Sequence, residues 1–227
     1  MSFSRRFKKS ITHSCIVTSF ALCAGVAQAA IHPGDLVITE VLANPDAVSD
    51  TAGEWFEIYN ASASSLDLSG LVIRDQGSNV HTVSGDTPVT VASGSYFVFG
   101  RNGDPLVNGG YTPDYVYDGF VLGNSSDVII LELGGVEIAS LIYSDAALFG
   151  AAGISAELTA GGFALTPSAF TFGSGDIGTP GAAGSYTPAA VSSVPLPAAG
   201  WLMLSASGAL VARRRKSART NCETAER

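Results

Sequence analysis

The amino-acid sequence predicts an all-β sandwich, and three observations carry that reading. Short runs of β-branched and aromatic residues recur from Asp35 onward, with Gly, Pro, Asn and Asp between them, as in a chain of short strands joined by turns. The run Gly53-Glu54-Trp55-Phe56-Glu57-Ile58-Tyr59-Asn60 is the clearest β signal, rich in residues that fit a pleated strand. Gly134-Gly135 separates two apolar runs as a two-residue hairpin loop, where glycine permits the positive φ angles that primed turns require. A chain of 227 residues with 26 Gly, 10 Pro and few charges suits one such domain plus targeting segments. Its central portion of roughly 160 residues can bury about two thirds of its unfolded surface, so its core needs no staples.

Residues 1–30 have the three parts of a secretory signal. Arg5, Arg6, Lys8 and Lys9 precede an apolar run from Ile11 to about Val26, and Ala27-Gln28-Ala29 sets up a cut after Ala29 or Ala30. The first body strand is read at Leu36–Pro45. There Glu40 shares a face with Ile38 and Leu42, as an edge-of-core acid with hydrogen-bonded partners or else a functional residue. In the next strand Phe56 and Ile58 share one face and Trp55, Glu57 and Tyr59 the other, and the charge at Glu57 marks that second face as the wet one. Leu66–Asp75 follows, then a short run around His81, then Tyr96–Phe99 after a Ser93-Gly94 turn. The stretch from Arg101 to Asp118 is too polar and too broken for core. It is the longest surface loop and a natural contact site. Asp127–Leu133 and Val136–Tyr143 are the arms of the hairpin.

Charge is distributed unevenly. Between Ile31 and Ser193 there are 18 acids against two bases, Arg74 and Arg101, a formal charge of -16, and there is no Lys. Such a body repels phosphate backbones, so no nucleic acid is expected as a partner. The acidity serves solubility, or else divalent-cation binding. The cysteines, Cys15, Cys23 and Cys222, all lie outside the body, which excludes a disulfide, a Cys nucleophile or a Cys-ligated zinc within it.

The order Ile38-Thr39-Glu40-Val41-Leu42-Ala43-Asn44-Pro45, Gly53-Glu54-Trp55-Phe56-Glu57-Ile58-Tyr59-Asn60, then Leu66-Asp67-Leu68-Ser69-Gly70-Leu71-Val72-Ile73-Arg74-Asp75 resembles a lamin tail domain. The closing hairpin ending in Tyr143 fits the same pattern. So do Gly153-Ile154-Ser155-Ala156-Glu157 and Gly178-Thr179-Pro180-Gly181-Ala182, pieces common in bacterial members. Leu71 stands where an aromatic is usual. The resemblance runs from about Pro33 to Ala183 and implies an immunoglobulin-like β-sandwich, an architecture that does not fix an activity.

Beyond it, residues 184–193 read as a linker of small residues and Pro. Val194, Pro195, Leu196, Pro197 and Ala198 then open an apolar run through Ala212, closed by Arg213, Arg214, Arg215 and Lys216. That order resembles a VPLPA-type variant of the PEP-CTERM sorting signal, which implies an exosortase-type sorting enzyme of a Gram-negative bacterium as partner. A helix over residues 198–212 is about 22 Å long against a hydrocarbon layer of roughly 30 Å, so extended residues before it and snorkelling arginines would complete the span. Positive-inside logic puts both termini in the cytoplasm and the acidic body outside. The organisation is therefore a signal peptide at 1–30, a sandwich at 31–183, a linker at 184–193, the sorting motif, transmembrane sorting helix and basic cluster at 194–216, and a cytoplasmic tail at 217–227.

Catalytic chemistry is not expected. His81 is the only histidine within the domain pattern, sits in a strand-like run without a Gly-x-Ser-x-Gly elbow, and reads as a strand-surface residue. Asp46, Asp50 and Glu54 crowd one loop and are the candidate calcium ligands, since calcium takes hard oxygen donors. The expected function is an exported, surface-sorted, non-enzymatic binding or structural module of the cell envelope or extracellular matrix, with an unidentified surface or matrix ligand. It would cross the membrane through residues 194–212 before processing. The alternatives are a calcium-dependent binder of polysaccharide or protein, and an accessory to an extracellular nuclease.

Overall fold

The computed structural model describes residues 29–191. Most of the expected signal peptide and all of the sorting segment and tail lie outside them. Among the described residues no helix is long and apolar enough to cross a membrane.

The strands run in chain order as β1 (Leu36–Leu42), β2 (Trp55–Asn60), β3 (Leu66–Asp67), β4 (Val72–Arg74), β5 (Val80–Thr82), β6 (Thr90–Val91), β7 (Tyr96–Gly100), β8 (Tyr115–Val116), β9 (Asp127–Leu133), β10 (Val136–Tyr143), β11 (Ala156–Thr159) and β12 (Gly162–Leu165). Two single-turn helices, α1 (Asp50–Gly53) and α2 (Ala146–Phe149), lie in the connections after β1 and β10. A six-stranded sheet, β12-β11-β1-β2-β7-β8, faces a four-stranded sheet, β10-β9-β4-β5, and β3 pairs with β6 beside them. This is the predicted immunoglobulin-like sandwich.

Phe56 and Ile58 point into the space between the sheets, as alternation requires. Phe56 stacks on its cross-strand partner Phe99 with ring centroids 4.9 Å apart. Ile73, Ile129 and Leu131 close the core from the facing sheet, and Leu71 is fully buried beside them. The β9–β10 hairpin turns on Gly134 and Gly135, with φ of 60° and 82°, the double positive pair that only glycine adopts without strain.

The structure corrects two readings of face. First, the side of β2 bearing Trp55, Glu57 and Tyr59 is not wet, for all three are buried. The chain after β12 returns across the outer face of the six-stranded sheet and covers it. Trp55 sits in a second small core with Leu42, Val98 and Tyr111, against Phe172. Secondly, Ile38 and Glu40 do not share a face. A β-bulge between them shifts the register, so Ile38 enters the main core while Thr39 and Glu40 lie beside Glu57 on the covered side.

Residues 184–191 also pack on the body instead of forming a free linker. Ser185 bonds Glu157, Thr187 Oγ1 lies 3.1 Å from Tyr96 Oη, and Val191 N–H donates to Ala61 O at 2.8 Å. Ala61 N–H in turn donates to Asp35 O. The first and last described stretches thus meet at Ala61, at one end of the sandwich. β1 ends at the opposite end, as does β7, which runs antiparallel to β2.

Candidate functional site

The loops at that opposite end hold the residues singled out in the sequence. Asp46 is exposed, while its backbone N–H and that of Ala47 donate to Asp176 Oδ1 at 3.2 and 3.1 Å. Asp50 opens α1, and its Oδ2 accepts from Asn124 Nδ2 at 2.9 Å. Glu54 is turned inward, where Oε2 accepts from Arg101 Nη1 and from Leu122 N–H, each at 3.4 Å. Burial pushes its carboxyl up to about 7, against the Leu122 N–H and the Arg101 charge, which favour the ionised form.

The structure does not bring the three together: among the described residues no group of three His, Cys, Asp or Glu side chains is placed to hold a metal ion. The reason is local. Glu54 completes a buried anchor in which Arg101 also donates to Phe120 O at 2.7 Å and Tyr111 Oη donates to Glu54 O at 3.0 Å. Its carboxylate is spent on fixing β7 and the loop before β9 to the start of β2.

The loop after Arg101 is well fastened. Asp104 N–H donates to Asn102 Oδ1, Leu106 N–H to Asp104 Oδ1, and Val107 and Asn108 N–H to Asp104 O. Asn108 is buried and its amide donates to Asn102 O and Tyr111 O while accepting from Gly110 N–H. Behind it lies Phe172-Gly173-Ser174-Gly175-Asp176. A Cβ on Gly110 would meet Gly173 Cα at 2.5 Å, so both glycines are needed for the two loops to touch. At the tip Leu106 is 95% exposed and Val107 half-exposed. The loop displays an apolar side chain on a pre-organised frame, an arrangement that lowers the ordering cost of binding. An open groove of about 490 Å³ beside it is lined by Tyr111, Phe170, Phe172 and Pro180.

His81 is half-buried on β5, with Nδ1 2.7 Å from Asp118 Oδ1 and Nε2 3.0 Å from Tyr115 Oη. That hydroxyl also bonds the backbone of Ser84. The histidine ties the edge of one sheet to the edge of the other.

A second polar cluster lies under the returning chain. Glu40 is paired in register with Glu57 on one side and Glu157 on the other, so three buried acids form a row across β2, β1 and β11. Each is met by donors. Glu40 accepts from Ser155 Oγ, Thr179 Oγ1 and Thr179 N–H. Glu57 Oε1 lies 2.7 Å from Thr39 Oγ1, and its Oε2 accepts from Gly181 N–H at 2.8 Å. Glu157 accepts from Ser185 N–H and Oγ. Burial outweighs these donors: the Glu40 carboxyl is raised, and that of Glu57 is pushed up to about 8, with the neighbouring Glu40 charge acting in the same direction.

A family model described as the lamin tail domain matches residues 29–145, just over half of the chain. The chain belongs to the lamin tail domain family. No curated protein and no solved structure matches it. In this lamin tail domain the matched region ends at Asp145, before α2, yet Glu157 of the acid row and every donor from Ser155 to Ser185 lie beyond it. Sequence reasoning missed the row because it placed Glu57 on a wet face. The signal that could have found it is Gly178-Thr179-Pro180-Gly181. A Cβ on Gly178 would crowd Glu40, Trp55 and Phe172 at 3.0 to 3.1 Å, and Thr179 and Gly181 are donors to two of the acids.

Proposed function

We propose that this chain is an exported, surface-sorted, non-enzymatic binding or structural module that projects the Leu106 loop away from the membrane. The observation that carries the reading is the meeting of the first and last described stretches at Ala61, opposite the loop. A leader before the body and a sorting helix after it would then hold the same end toward the membrane, leaving the opposite loops to face outward. The fastened backbone of residues 102–110 and the bare Leu106 supply what a contact needs, an apolar anchor on a rigid frame. The absence of Lys, with -16 between Ile31 and Ser193, suits an exterior module that stays dispersed until it finds its ligand.

Two outcomes check this. Leu106→Asp is expected to leave the melting temperature within about 1 °C, as an exposed substitution should, while abolishing retention of the mature body in the envelope and matrix fractions. Unchanged retention would remove the loop from the proposal. Pro195→Ala with Pro197→Ala is expected to leave an uncleaved protein in the inner membrane, and normal release of that variant would remove the sorting step.

A further inference from the structure

We propose that residues 178–191 form a pH-released strap, seated on the six-stranded sheet while Glu40 and Glu57 beneath it are protonated and lifted when they ionise.

The row itself is the first ground. Like charges directly opposite on neighbouring strands destabilise a sheet, and here Glu57, Glu40 and Glu157 are successive cross-strand neighbours out of water. Among the described residues no cation pairs with them. The titratable groups facing the row and the strap are Tyr59 of β2, Tyr96 of β7, Tyr111 packed with Trp55 and Val98, and Tyr186 of the strap, with Asp114 bonded to Val98 N–H, opposite Glu57. β12 carries no titratable side chain. The body's two arginines are engaged elsewhere, Arg74 with Glu132 on the other sheet and Arg101 with Glu54.

The nature of the strap's hold is the second ground. Its sequence from Gly178 to Val191 is almost wholly Gly, Ala, Ser, Thr and Pro, and its side chains bury little apolar surface. What seats it is Thr179 on Glu40, Gly181 on Glu57 and Ser185 on Glu157, with Thr187 on Tyr96 and Val191 on Ala61. Two of five attachments are made to the carboxyls of Glu40 and Glu57, whose ionised form the strap's donors favour but whose burial, the larger effect, deprives it of water. Lifting the strap gives them that water, so ionisation and lifting favour each other by linkage. The raised carboxyls of Glu40 and Glu57 agree in sign.

The consequence for reach rests on the sorting reading above. With the strap seated, only residues 192 and 193 separate the body from Val194. With it lifted, the free stretch is residues 178–193, spanning at most roughly 58 Å at 3.3–3.6 Å per residue. Alkaline conditions would then free the sorting motif from the body.

The test is hydrogen exchange read by mass spectrometry on the full chain in detergent, at pH 5.5 and pH 9, corrected for the intrinsic rate. Peptides covering 178–185 are expected to lose protection at pH 9 by roughly a hundredfold more than peptides from β9 and β10, which follow only the fall in global stability. Glu57→Gln and, separately, Glu40→Gln should retain strap protection at pH 9, because an amide cannot ionise. Equal strap protection at both pH values in the parent would overturn the proposal, as would strap peptides that at pH 9 have lost no more protection than those of β9 and β10. None of these readouts depends on sorting. Lifting observed in a chain whose VPLPA motif proves inert would overturn the reach consequence and support the strap.

Discussion

Raising the pH from 5 to 8.5 is expected to lower the unfolding free energy of this protein by several kcal/mol, opposite in sense to ordinary acid lability. The Glu57 carboxyl is raised from 4.5 to about 8 in the folded state. Below 4.5 both folded and unfolded chains hold the proton, and the stabilisation is fully present. As the pH rises past 4.5 the unfolded chain releases its proton while the folded chain keeps it, so stability falls until the folded carboxyl ionises near 8. That interval corresponds to at most about 5 kcal/mol at 1.36 kcal/mol per unit. Glu54, raised to about 7, adds a loss of the same sign between 4.5 and 7. Urea unfolding at constant ionic strength and at pH 5, 6, 7 and 8.5 measures it. Glu57→Gln should flatten the slope and make the variant more stable than the parent at pH 8.5. A parent whose stability is level or rises over this range would contradict a buried, protonated Glu57.

Phe56→Ala should cost about 3–5 kcal/mol, the usual range for truncating a buried aromatic. Its ring has no exposure and stacks on Phe99 at an interplanar angle of 18°, with Tyr117 and Phe120 at 5.8 and 6.4 Å. Removal forfeits both the transfer of the ring from water and a cross-strand aromatic pair. Ile142→Ser is the control, since Ile142 is 70% exposed on the outer side of β10 and its loss should stay within about 0.5 kcal/mol. Chemical denaturation midpoints for the two variants should differ widely. Similar midpoints would mean that the main core does not run between Phe56 and Phe99.

The sandwich, its hairpin and the inward direction of Phe56 and Ile58 were written in local pattern, because alternation and paired glycines act over a few residues. The sequence by itself likewise determined the -16 charge of the body, its freedom from cysteine and the basic clusters at both ends of the chain. Local pattern failed wherever a distant segment decided the environment. Glu57 looks wet from its own strand, and only the return of residues 178–185 over the sheet makes it dry. Glu54 looks like a loop carboxylate beside Asp50, and only Arg101 and Leu122, far along the chain, turn it into an internal anchor. Ile38 and Glu40 alternate in sequence, but the bulge that parts them exists only against β2. Burial belongs to whatever comes to lie on top of a residue. For a sheet face that cover arrives from beyond the family's matched region, so only the tertiary structure decided that three glutamates lie in a dry row under a polar strap.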